Sequence, residues 1–254
     1  MTVSMHRDVS ILVLERIDAV YAQREWEFAR DRSDEISAHW RGLVAANPAL
    51  FNGRVLLQYE RRIADGVLEA RYLETDYSAF LAWRDFGWPD RQVRNGFAMA
   101  ALRASDGAYL LGEMGAHTAN AGKVYFAAGT PDPADITLDG RVDLVGSLMR
   151  ELEEEMGLRA SEVELGEGWT AVLEGQRSAF MRPVGIAMEA EAARALILSR
   201  LARQEQPELA DVHIVRSAAD IDRAAMPLFT CAFLEHAFGE RPATGSVRAR
   251  WRPI

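Results

Sequence analysis

A single cysteine, Cys231, is present in 254 residues, so no disulfide can close within the chain. It lies in the apolar run Leu228-Phe229-Thr230-Cys231-Ala232-Phe233-Leu234, where a small buried hydrophobe is expected rather than a nucleophile. Long apolar runs are missing too. None approaches the roughly 18 residues that a membrane-spanning helix needs. Ile11 to Leu14 is too short for the core of a secretory leader, and Glu15 and Arg16 follow at once. A cytoplasmic protein with no membrane partner is the expectation. Positive charge is also scarce: 29 Lys and Arg stand against 38 Asp and Glu, for a net charge of -9. The arginines are scattered, so the counterion-displacing surface of a nucleic-acid binder is absent. A small anionic substrate stays open, because a bound divalent cation would invert the local charge. The five histidines, His6, His39, His117, His213 and His236, show no metal-ligand spacing.

What the chain does have is core material: 49% hydrophobic residues and 26% charged, enough for one large domain or a domain with an appendage. In the first part, Ile11 to Leu14, Val55 to Tyr59 and Val67 to Leu73 read as strands, with Asp65-Gly66 as a hairpin turn between the last two. Ser33 to Ala45 reads as a helix with Ile36, Trp40, Leu43 and Val44 on one face, and Tyr77 to Asp85 as a second, shorter one. A second unit starts near Arg94. Its strands are expected at 97–102, 109–111, 124–126, 171–173, 184–186 and 212–215, and its helices at 189–203 and 229–238. Between Thr130 and Arg141 lies a loop with two prolines. After it, Asp143 has the chemistry of an N-cap, and Leu144, Leu148 and Leu152 recur at helical spacing up to Gly157, a C-terminal stop. The alternation of strands and helices with several hairpins predicts an α/β (α+β) architecture. The expected division is an N-terminal α+β unit over 1–92 and a second domain over 93–254.

Chemistry concentrates on the helix that ends at Gly157. Glu151, Glu154 and Glu155 lie three and four residues apart, on one helical face. Like charges at that spacing cost roughly 0.2 to 0.5 kcal/mol per pair on an exposed helix. They also stand at the wrong end of the macrodipole. Hard divalent cations with oxygen ligands are the natural compensation; a solvated acidic face is the bland alternative.

The string Arg150-Glu151-Leu152-Glu153-Glu154-Glu155-Met156-Gly157-Leu158 resembles the second half of the Nudix box, R-E-U-x-E-E-x-G-U with U aliphatic, at every fixed position. Phe126-Ala127-Ala128-Gly129 resembles the strand and glycine turn that open the box. The resemblance implies a mixed sheet sandwiched between helices, with residues 1–92 as an N-terminal extension. It also implies metal-assisted attack of water on a diphosphate that joins a nucleoside to another group. Glu151, Glu154 and Glu155 would then ligate Mg²⁺ or Mn²⁺, with Glu154, Glu151 and Arg150 as catalytic residues and Arg150 orienting the glutamates. Members of the family often draw one more carboxylate from a later loop; here Glu208 and Glu205 are the candidates, with Glu174 behind them. The box's first glutamate falls on Val142, and the loop from Thr130 to Arg141 carries an insertion. A catalytically silent nucleotide-binding or protein-interaction module is therefore the alternative. A vague similarity of Thr75-Asp76-Tyr77-Ser78-Ala79-Phe80 to the entry segment of UDP-glucose-cleaving Nudix proteins favours a nucleotide sugar or ADP-ribose as substrate. N-terminal extensions in such proteins complete the pocket or form a homodimer.

Three further features are weaker. The stretch from Gly115 to Lys123 lacks the spacing of a phosphate loop, and Val124 stands where a magnesium-binding hydroxyl should be. His117 or Lys123 would still lie close to the box strand. Trp83 and Trp88 are read first as core and second as base-stacking rings.

Overall fold

The computed structural model describes residues 9–239 and the backbone of 252–253; His6 lies outside the described residues. The chain opens with two strands, β1 (Val9–Leu14) and β2 (Arg16–Tyr21), and two helices, α1 (Glu27–Asp31) and α2 (Ser33–Ala46). A hairpin of β3 (Arg54–Ala64) and β4 (Val67–Asp76) follows, then α3 (Tyr77–Asp85). The hairpin turns on Asp65 and Gly66, with φ of 49° and 74°. Those two left-handed residues are what a two-residue connection between twisted strands requires. β4 pairs antiparallel with β3 and parallel with β2, giving a three-stranded sheet in the order β2-β4-β3.

The second part builds β5 (Asn95–Ala104), β6 (Tyr109–Met114), β7 (Val124–Tyr125) and β8 (Ala128–Gly129), then the helix α4 (Leu144–Met156). After it come β9 (Val163–Leu165), β10 (Trp169–Glu174), β11 (Arg177–Ile186), α5 (Ala190–Leu201), β12 (Leu209–Val215), α6 (Leu228–Gly239) and β13 (Arg252–Pro253). The strand order β1-β10-β11-β5-β6-β12 defines a large mixed sheet, with β5 and β11 parallel at its centre and the other pairs antiparallel. β5 reads as an almost continuous apolar run, and every residue of it except Arg103 is buried, as suits a central strand covered on both faces. The helices α4, α5 and α6 flank this sheet. The fold is thus the mixed α+β arrangement expected, a large mixed sheet flanked by helices.

The small sheet lies between two cores. Alternate side chains of a strand point to opposite faces. Leu56, Leu68, Ala70 and Tyr72 accordingly join the main core, while Val55, Leu57 and Leu73 pack with Ile36, Phe80 and Trp83 of α2 and α3. β1, from the N-terminal part, forms the edge of the large sheet beside β10. Four elements have no counterpart in the sequence reading. β2 follows Glu15 and opens on Arg16 with alternating polar and apolar residues, and its partner β4 is remote in sequence. α1, β9 and β13 are too short for periodicity to register. β3 also runs past Tyr59 through Glu60, Arg61 and Arg62, whose side chains alternate between exposed and half-buried positions.

Candidate active site

The helix α4 is held by the features that bound it in the sequence. Asp143 Oδ1 accepts a hydrogen bond from the Gly146 N–H at 2.9 Å, the expected N-cap. Leu148, Leu152 and Met156 are fully buried and Leu144 nearly so. At the other end Gly157 takes φ 67°, and its N–H donates to the Glu153 carbonyl. The Leu158 N–H reaches the Leu152 carbonyl. A left-handed residue with these two bonds closes a helix that any Cβ would strain.

This packing spreads the three glutamates over a gradient of burial. Glu155 is buried, Glu151 is partly buried and Glu154 is exposed. Glu155 receives a main-chain hydrogen bond from Ala128, but burial, then the charges of Glu151 and Glu208, push its carboxyl well above the usual range. Glu151 rises to about 7, first through burial and then through the charge of Glu154, with Arg150 opposing. Glu151 lies against β8: a Cβ on Gly129 would stand 2.0 Å from its Oε1. The glycine therefore makes the room that the carboxylate occupies, despite the insertion that follows it.

Arg150 is turned mainly toward the inserted loop. It donates to both carboxylate oxygens of Asp135, at 2.5 and 3.2 Å. Asp132 lies at 3.5 Å and Glu151 only at 3.8 Å. Asp135 is buried on a short 3-10 turn that Asp132 caps, and its Oδ2 also accepts from the Asp132 N–H. Val142, at the box's glutamate position, is a buried core residue whose N–H bonds to the Ala19 carbonyl. An acid from seven residues earlier thus meets the arginine. The pattern Asp132-Pro133-Ala134-Asp135 signals a capped turn in sequence, but nothing in it announces Arg150 as the partner.

Of the later acids, Glu208 belongs with the glutamates of α4. It is exposed just before β12, and its negative charge bears on both Glu151 and Glu155. Its carbonyl accepts from the Gly115 N–H at 2.7 Å. Glu205 is exposed on the preceding turn. Glu174 lines a cleft of about 510 Å³ that also has Glu151 and Gly129 on its wall. Arg84, Lys123 and Arg177 bring positive charge to the same cleft, and Tyr77, Phe80 and Trp88 bring rings. Sequence reasoning missed Arg84, Arg177, Tyr77 and Phe80 as cleft residues. Of the two tryptophans, Trp83 is fully buried core and Trp88 faces the cleft. Lys123 lines the cleft, and its Nζ donates to the Ala224 carbonyl at 3.3 Å.

Among the described residues, no three His, Cys, Asp or Glu side chains stand in ready coordination geometry. The donor set nonetheless suits a hard dication. It is wholly carboxylate oxygen, the choice of Mg²⁺ and Mn²⁺ rather than of softer metals. Burial first, and then the charges of neighbouring carboxylates, disfavour the ionised forms of Glu151 and Glu155, and a cation would offset both.

No family model and no curated protein matches the chain. Solved structures do. One is a Nudix hydrolase from M. smegmatis, RenU, at 18% identity, with 62% of this chain and 91% of that one covered and a TM-score of 0.39. Another is a MutT protein from Methanosarcina mazei, at 16% identity, 57% and 92% coverage and a TM-score of 0.35. A third is the Bacillus subtilis pyrophosphohydrolase BsRppH, at 16% identity, 50% and 65% coverage and a TM-score of 0.29.

Proposed function

We propose that the chain is a divalent-metal-dependent pyrophosphohydrolase acting on a nucleoside diphosphate linked to another moiety, of the nucleotide-sugar or ADP-ribose type. One observation carries the reading: Glu151, with the acids Glu154, Glu155 and Glu208 acting on the space around it, borders a cleft that three cationic side chains and several rings also line. Glu151, Glu154 and Glu155 would hold Mg²⁺ or Mn²⁺, with Glu208 as the acid from outside the helix. When bound, such an ion supplies charge neutralisation at phosphoryl oxygens and a more acidic water.

The remaining work falls to the chain's own side chains. Lys123 and Arg84 offset the charge of the diphosphate. Tyr77, Phe80 and Trp88 give flat apolar walls to the group beyond it. Arg150, locked to Asp135, holds the start of the glutamate run against the inserted loop, so that Glu151 keeps its place beside Gly129. In this reading residues 1–92 are an extension that completes the pocket of a 93–254 domain: Val55, Tyr77, Phe80, Arg84 and Trp88 all come from it.

The test is a panel of nucleotide sugars, ADP-ribose, dinucleoside polyphosphates, NADH and coenzyme A, each with Mg²⁺ or Mn²⁺, on wild type and Glu154→Gln. Cleavage of one class by wild type, lost in the variant, is expected; no cleavage of any, with the two proteins alike, defeats the reading. A second reading, a silent nucleotide-binding module, draws on Val142 in the box's glutamate position and on the lack of a ready-made coordination site. It predicts thermal stabilisation by nucleotides without turnover.

A further inference from the structure

We propose that Glu174 and Arg177 together read the hydrogen-bonding edge of a nucleobase and so set which nucleotide the cleft accepts. The inference rests on the nucleotide part of the function proposed above and names the moiety that this wall takes. Both residues line the cleft, and they pair with each other across the turn between β10 and β11. Glu174 Oε1 accepts from Arg177 at 3.4 Å. Burial raises the carboxyl's pKa, with the charge of Arg177 and then a main-chain hydrogen bond from Phe229 opposing. The bond to Arg177 is long, so at the cleft the carboxylate keeps acceptor capacity that an N–H or O–H of a ligand can meet.

Arg177 stands beside it as a donor. Its guanidinium packs 5.2 Å from the ring centroid of Trp88, which restricts where its N–H groups point. An acceptor next to a donor matches a base edge, where amino or imino groups adjoin ring nitrogens and carbonyls. The nearby rings, Trp88, Phe97 and Phe229, suit the flat π-face of a base, which stacks on aromatic side chains.

The experiment is calorimetric titration of the full chain with ADP, GDP, CDP and UDP, and with the 2′-deoxy form of the tightest binder. Wild type is expected to bind one base at least tenfold more tightly than the weakest. Glu174→Gln should shrink or reorder that preference by about tenfold, the worth of a hydrogen bond to a charged group. The 2′-deoxy nucleotide should show the same change. Equal binding of all four bases by wild type overturns the proposal, as does a uniform weakening in the variant. So does a loss that disappears with the 2′-deoxy nucleotide, because the carboxylate then reads ribose. If Glu174→Gln does not stay folded, Arg177→Gln is judged by the same criteria. Base-selective binding without turnover of any substrate would remove the hydrolase reading and leave this one. Turnover with equal kcat/KM for all bases would do the reverse.

Discussion

A methyl group at Gly129 would fall 2.0 Å from Oε1 of Glu151, so the smallest substitution there tests what that carboxylate does. Gly129→Ala is expected to push Glu151 out of place and to lower kcat about 10²-fold, the usual effect of a displacement near 1 Å, with little change in melting temperature. An unaltered kcat would show that the position of Glu151 is not critical. At this scale the sequence was informative about the glutamates and nearly silent about their neighbours. Arg150, Glu151, Glu154 and Glu155 follow from one string on one helix, where spacing alone fixes relative direction. Their graded burial does not, because it depends on how α4 sits on the sheet. Asp135 was invisible for a related reason: it reaches Arg150 through the path of an irregular loop, and no periodicity encodes that path.

Helix α4 is anchored near its middle and just past its C-terminal end, and each anchor makes a separate prediction. Near its middle, Asp135 ties the inserted loop to Arg150 by a two-pronged ion pair with one partner buried. Asp135→Asn should destabilise the fold by about 1–3 kcal/mol, the range for a lost hydrogen bond to a charged group, measured by urea unfolding. It should also lower activity, and Asp135→Glu should restore part of both. Loss of stability with full activity would make the pair purely structural. Beyond the helix's end, Arg200 donates to the Gly157 carbonyl and to both oxygens of Glu162. Those bonds hold the Glu162 carboxyl near 2. A group whose pKa is lowered on folding stabilises above its unfolded value, near 4.5, and loses that contribution as pH falls toward 2. Melting temperature of wild type should therefore fall between pH 4.5 and 2 more steeply than that of Glu162→Gln. The pair is partly exposed, so the difference should be small and should shrink in salt. Superimposable curves would remove this anchor from the account. Strong elements such as β5, α3 and α4 were readable from apolar pattern and caps. β2 was not, because its partner strand lies about fifty residues on and only the pairing marks it as a strand.

For the molecule as a whole, the cleft is assembled from both parts of the chain. Val55, Tyr77, Phe80, Arg84 and Trp88 come from the first 92 residues, and Glu151, Lys123 and Arg177 from the rest. Deleting residues 1–92 would strip β1 from the large sheet and Leu56, Leu68 and Tyr72 from the main core, so point changes are the cleaner probe. Trp88→Leu is expected to raise KM about tenfold, within the range for one lost aromatic stack, while kcat changes far less. A fall in kcat with KM unchanged would place Trp88 in the chemistry instead. Composition set the outer bounds, since a net charge of -9 argues against polymer nucleic acid and leaves room for a cation-bridged small anion. Among the described residues no helix is long and apolar enough to cross a membrane. The most direct measurement of the central claim is the initial rate of nucleoside diphosphate cleavage against Mn²⁺ concentration, for wild type and Glu151→Gln. The account predicts a rate that vanishes without the ion and saturates with it in wild type, and in the variant a lower maximum that needs at least tenfold more Mn²⁺. A rate independent of Mn²⁺, or identical curves for the two proteins, would contradict it.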